Sequence, residues 1–149
     1  MRIETTRFGP IDINPDRVIT FADGLLGFPG MRRFALIETT TDAVFFWLQS
    51  VDEPGLAFVV CDPQAFVPDY RAQVRADDLR LLEMRDLADC QVFVIVNKVD
   101  GWLTANLLGP RVIGAGSRLG RQLVLSDRRY TIQHRLRDVR GTPAAAKTA

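Results

Sequence analysis

His134 is the one histidine of this chain, so any serine or cysteine nucleophile activated by an imidazole would have to use it. It lies in YTIQHRL, alternating with Ile132 beside Arg135. That reads as a structural histidine on an edge strand. Cys61 and Cys90 sit in apolar strand-like runs without CxxC spacing, which predicts buried reduced thiols rather than a disulfide or a metal site. There is no HExxH, no cysteine pair and no Asp-rich calcium loop, so no metal is expected. Asp52, Glu53, Asp62, Asp69, Asp77 and Asp78 each flank a turn or a helix start, where a carboxylate has a local use. Paired-carboxylate catalysis is therefore unsupported. The run 114–120, GAGSRLG, has GxGxxxG spacing after a strand, but a phosphate-binding loop must open a helix. RQLVLSD follows instead, a strand pattern, so a β-hairpin or a loop is the stronger reading. No cofactor is expected, and an enzyme is the weakest hypothesis.

Binding fares better. Net charge is +1 over 149 residues, yet residues 1–109 carry −6 and residues 110–149 carry +7. Such a split suits either a nucleic-acid surface or a docking surface for an oppositely charged partner. The basic third is almost all arginine, with Tyr130 the sole aromatic among Arg111, Arg118, Arg121, Arg128, Arg129, Arg135, Arg137 and Arg140. A single-strand binder would place several stacking rings beside those charges. A protein partner is thus favoured over RNA, with a stand-alone RNA-binding β-barrel as the alternative.

The elements that would position these residues are mostly strands. The length fits one domain with a real core. No apolar stretch approaches the ~20 residues needed to span a bilayer, and MRIETTRFG lacks the apolar core of a secretory signal, so the expectation is a cytoplasmic protein without membrane contact. Short β-branched and aromatic runs recur between Gly, Pro and Asx turns, which predicts a mainly β fold, a small antiparallel β-barrel-like or sandwich domain. Arg121 to Ser126 and Tyr130 to His134 are expected to pair as a hairpin. One short amphipathic helix is expected near Asp77 to Leu87, with Asp77 as its cap. The single domain is placed at residues 1–136, and residues 137–149 are expected to be a flexible tail.

Three strands are apolar on both faces: residues 44–48, 56–61 and 91–96. A small antiparallel sheet usually leaves one face wet and alternates apolar with polar. The second face must be covered, by loops of the same chain or by a partner, and at least one uncovered apolar patch is expected.

FADGLLGF (residues 21–28), FWLQSVDEPGLAFVV (46–60), the PDY of residues 68–70, LTANLLGP (103–110) and GRQLVLSDRRYTIQHRL (120–136) together resemble the flagellar assembly factor family FliW. The resemblance spans nearly all of residues 3–136. It implies a β-barrel-like protein without catalytic activity that acts as a partner switch. Its implied partners are flagellin and the translational repressor CsrA, the carbon storage regulator, with no direct contact to nucleic acid. Flagellin accumulating before export would occupy the factor and free the repressor. Candidate contact residues within these motifs are Phe28, Asp52, Glu53, Asp69, Tyr70, Leu103, Asn106 and Leu107. A purely structural role stands beside the contact role for each, most of all for Phe28 and Leu107. The departures from the family pattern are a shorter loop before Trp102, Arg111, where an apolar residue is expected, and Gly114-Ala115-Gly116 in place of a more regular stretch.

Overall fold

The computed structural model describes every residue except 26, 39–43 and 142–149. A β1–β2 hairpin (Arg2–Thr5 and Gly9–Asp12) stands apart from a nine-stranded sheet. That sheet is built from β3 (Ile19–Phe21), β4 (Arg33–Glu38), β5 (Phe45–Ser50), β6 (Ala57–Cys61), β7 (Cys90–Val99), β8 (Trp102–Ala105), β9 (Arg111–Gly114), β10 (Leu119–Gln122) and β11 (His134–Asp138). Strands β9, β10, β3, β4, β5, β6 and β7 follow one another and close when β9 pairs with the start of β7, giving a seven-stranded barrel. The far half of β7 carries β8, and β8 carries β11. The turn between β7 and β8 is the expected Asp100-Gly101 hairpin, with both residues at positive φ as a right-twisted ribbon requires.

The doubly apolar strands serve two cores. Inward side chains Ile19, Phe21, Phe34, Leu48, Val60, Phe93 and Ile113 fill the barrel, joined by Phe46, Phe58 and Ile95. The outward set, Phe45, Cys61, Val94 and Val96, lies under Tyr70, Ala72, Leu107 and Tyr130. Excluding water from both faces is what lets these strands dispense with alternation. The chain itself supplies the cover. The loops after β6 and β8 and the stretch before β11 form a second layer over the barrel wall. Trp47 is covered separately, by Phe8 at 6.1 Å between ring centroids and by Arg7 at 4.0 Å. A third cluster seats Leu82, beyond the helix, on Val112 and Leu123.

Three local expectations need correction. The helix α1 is Ala76–Leu81, shorter than Asp77 to Leu87. Leu82 already caps it, because burying Leu82 turns the chain, and Glu83 follows at positive φ. The acid at its start is Asp78, which accepts from the Arg75 amide at 3.2 Å, rather than Asp77. The expected hairpin between Arg121–Ser126 and Tyr130–His134 does not form. The Leu123 and Leu125 amides donate to Pro110 and Leu108, and β11 pairs with β8 instead. Leu123, Leu125 and Tyr130 are drawn onto the outer cores, and apolar burial there outweighs a local turn. The sheet also runs to Asp138, beyond the domain boundary at residue 136. The GAGSRLG segment is, as expected, the turn of an antiparallel β9–β10 hairpin.

Candidate partner-binding surfaces

The β5–β6 turn is built by the polar residues of LQSVDEPG. Gln49 is fully buried, and its Nε2 faces the carbonyls of Ser50, Glu53, Pro54 and Leu56 at 3.0–3.5 Å. Only a donor fits that ring of acceptors. The Ser50 hydroxyl accepts from the amides of Asp52 and Glu53. Asp52 and Glu53 are thereby presented at an exposed turn. Arg33 from β4 grips Asp52, its Nε donating at 3.2 Å, and the guanidinium holds that carboxyl below its ordinary range. Phe28 lies nearby, exposed on one side with its ring 5.7 Å from Phe58.

At the other end of the β5–β6 hairpin the chain enters the turn holding Asp69. Asp69 is exposed, but Tyr70 is only 2 % exposed. The Tyr70 hydroxyl donates to the Leu107 carbonyl at 2.8 Å, and its ring lies 4.6 Å from that of Tyr130. Burial raises the Tyr70 pKa, so the phenol stays a donor. Leu107 has no exposure at all. The expectation that Tyr70 and Leu107 touch a partner is therefore corrected: both are interior, and they lock the second layer onto the barrel. Leu103 is half-buried against the same core, and Asn106 Oδ1 accepts from the Leu108 amide, a structural use of that side chain. The eight residues thus fall into two separated groups, Phe28, Asp52 and Glu53 at one end and the Tyr70 neighbourhood at the other.

A surface not foreseen from sequence lies between the FADGLLGF loop and α1. A groove of about 470 Å³ runs along Thr20, Gly24, Leu25, Pro29, Leu81 and Val124. Leu81 and Val124 are 58 % and 79 % exposed on its walls. Arg121 closes the rim by donating to Asp78 at 2.9 Å and to Asp23 at 3.1 Å. Gly24 is required beneath it, because φ is +69° and a Cβ would stand 2.5 Å from the Pro29 carbonyl oxygen. The glycine-rich loop was the available signal. Leu81 and Val124 are two of the exposed large apolar side chains, with Met1, Phe8, Phe28 and Ile132 exposed elsewhere, while the outer faces of the three doubly apolar strands are packed against the second layer.

The basic third does not present one continuous stripe. Arg121, Arg129 and Arg140 engage carboxylates, Arg135 lies over Trp102, and Arg137 lies over Phe45 and Phe66. Arg111 is buried. Cys61 is a buried free thiol, pushed up to about 12 by burial, while Cys90 is free and partly exposed. Among the described residues no cluster of three metal-ligating side chains occurs, and no helix is long and apolar enough to cross a membrane.

Comparison with known proteins agrees with this architecture. The family profile described as FliW protein matches residues 2–136. A flagellar assembly factor FliW of Bdellovibrio bacteriovorus is 38% identical over 135 residues, covering 89% of this chain and 77% of that protein. The corresponding protein of Natranaerobius thermophilus is 35% identical over 147 residues, covering 97% of each. A crystal structure of the flagellar assembly factor FliW superposes with a TM-score of 0.83 at 33% identity, covering 91% of this chain and 96% of that one.

Proposed function

This chain belongs to the FliW family of flagellar assembly factors, and on that premise we propose that it is a cytoplasmic, non-catalytic partner switch. It binds the translational repressor CsrA and keeps it from flagellin messenger RNA. It also binds flagellin before export. When unexported flagellin accumulates, it occupies the factor, the repressor is released, and flagellin synthesis falls. Competition of two ligands for a limited binder gives this feedback by mass action.

The observation that carries the binding role is the apolar groove with Leu81 and Val124 exposed on its walls. An amphipathic helix laid into such a groove buries its apolar face and leaves its polar face wet. The helical end of flagellin has that character, and we assign the groove to it. Asp52, Glu53 and Phe28, exposed at one end of the β5–β6 hairpin, are the proposed contacts for the repressor, and the exposed Asp69 at the other end is a proposed contact for either partner.

Isothermal titration of the purified protein with flagellin and with CsrA, singly and in competition, tests this reading. Burying Val124 contributes on the order of 1.5 kcal/mol, so Val124→Asp should weaken flagellin binding at least about tenfold. Thermal stability should not change, because that side chain is mostly in water. Unaltered flagellin affinity in a Leu81→Asp, Val124→Asp double variant would remove the groove from the mechanism. Failure of the unmodified protein to bind either partner would end the proposal.

A further inference from the structure

The strand β10 has an open edge where it leaves the barrel. Its register with β9 carries on past Gln122, because the Leu123 and Leu125 amides donate to the carbonyls of Pro110 and Leu108 at 2.9 and 2.8 Å. Main-chain groups of an antiparallel strand alternate between its two edges. Leu123 and Leu125 therefore turn their amides to the β9 side, and Val124 turns its amide and carbonyl to the other. The neighbour on that other edge is β3, which pairs only with Leu119 and Gly120 and ends at Phe21. Among the described residues the Val124 amide has no acceptor, and neither the amide nor the hydroxyl of Ser126 has a partner. Both residues are exposed. An exposed edge with unpaired main-chain groups is a template for a further strand.

A polar slot of about 520 Å³ runs beside this edge, between residues 73–75 and 121–127. It shares Arg121, Gln122 and Val124 with the apolar groove, so the two adjoin. Its charged side chains are already neutralised, with one exception. Asp77 pairs with Arg80, Asp78 with Arg121, and Asp127 with Arg129. Arg75, exposed on the slot wall, has no carboxylate partner among the described residues. The slot therefore offers two things at once: main-chain groups awaiting a strand and a cation awaiting an acid. A helix cannot answer the first, because its own main chain is bonded internally.

We propose that the polypeptide whose helix lies in the apolar groove continues through this slot as an extended strand. It pairs with the edge at Val124 and Ser126 and sets a carboxylate side chain against Arg75. The inference rests on the groove reading above for the identity of that polypeptide, flagellin. A chain leaving the groove past Val124 meets the open edge directly, since Val124 lines both spaces. Main-chain bonds along the edge supply affinity with little regard to sequence. Arg75 supplies a preference for an acid-bearing segment.

The test combines calorimetry with amide-exchange NMR on the full chain, labelled with nitrogen-15, free and saturated with monomeric flagellin. The Val124 and Ser126 amides should exchange at least about tenfold more slowly in the complex. Arg75→Glu should weaken flagellin binding about fivefold, and the loss should narrow as sodium chloride is raised. Val124→Pro keeps an apolar side chain while deleting the donor, and should cost about fivefold as well. If Val124→Pro does not fold, exchange in the unmodified protein and the Arg75→Glu titration decide. Flagellin bound with exchange at Val124 and Ser126 unchanged, and with native affinity in Arg75→Glu, would overturn the strand and leave the groove reading intact. No binding of flagellin by the unmodified protein would overturn both, and the calorimetry alone identifies that case.

Discussion

Replacing Gln49 by leucine isolates the device that shapes the β5–β6 turn. Leucine matches the buried volume but cannot donate. In the native chain one amide nitrogen serves the carbonyls of Ser50, Glu53, Pro54 and Leu56. It has two hydrogens, so no more than two of these bonds have full strength at once. Each is worth about 1 kcal/mol net, and a carbonyl left dry costs about 1–3 kcal/mol. Three features reduce the loss. Leu56 O already accepts from the Ser50 amide. Glu53 and Pro54 lie at an exposed turn where water can reach them. Leucine also removes Oε1, which has no partner in the native fold. The expected net destabilisation is about 2 kcal/mol, which for a chain of this size lowers Tm by roughly 4–8 °C. Urea denaturation with an unchanged m-value, checked by thermal melting, measures it. A loss below about 0.5 kcal/mol, or a gain, would refute the idea that this amide organises the turn.

Tyr70→Phe removes the donor to Leu107 O while keeping the ring, and should cost about 1–2 kcal/mol in chemical denaturation without altering partner affinity. Asp69→Lys should weaken binding of CsrA or flagellin at nearly unchanged stability, and unaltered titrations with both partners would strike Asp69 from the surface. Asp52 is held below its ordinary value of 3.8 by Arg33. Its contribution is therefore present above that value and is lost as pH falls through the lowered one. The pair is half-exposed, so the effect is less than about 1 kcal/mol. Arg33→Met should flatten this acid limb in pH-dependent melts, and an identical limb in both proteins would count against the pair.

Strand positions were legible because alternation, β-branching and turn chemistry are local. The run CQVFVIVNKV is β7 from end to end, and Asp100-Gly101 is its hairpin. Sequence also showed that three strands had no wet face, which follows from side-chain alternation alone. The partners of the strands were less accessible. Arg121 and Tyr130 lie close in sequence and look like two arms of a hairpin, yet β10 lies parallel to β3 while the chain beyond it crosses to β8. Long-range burial of Leu123, Leu125 and Tyr130 decides that route.

The amino-acid order by itself determined most of the strands and the family, since both are written in neighbouring residues. Only the folded chain decided which motif residues are reachable. Tyr70 and Leu107 share motifs with Asp69 and Asn106, yet the first two are sealed inside. It also decided that Leu81 and Val124, 43 positions apart in the chain, face one groove, and that Arg111 lies inside the barrel with no carboxylate partner among the described residues. Exposure and charge pairing depend on what the closed barrel brings together across long separations, and no local pattern carries that information.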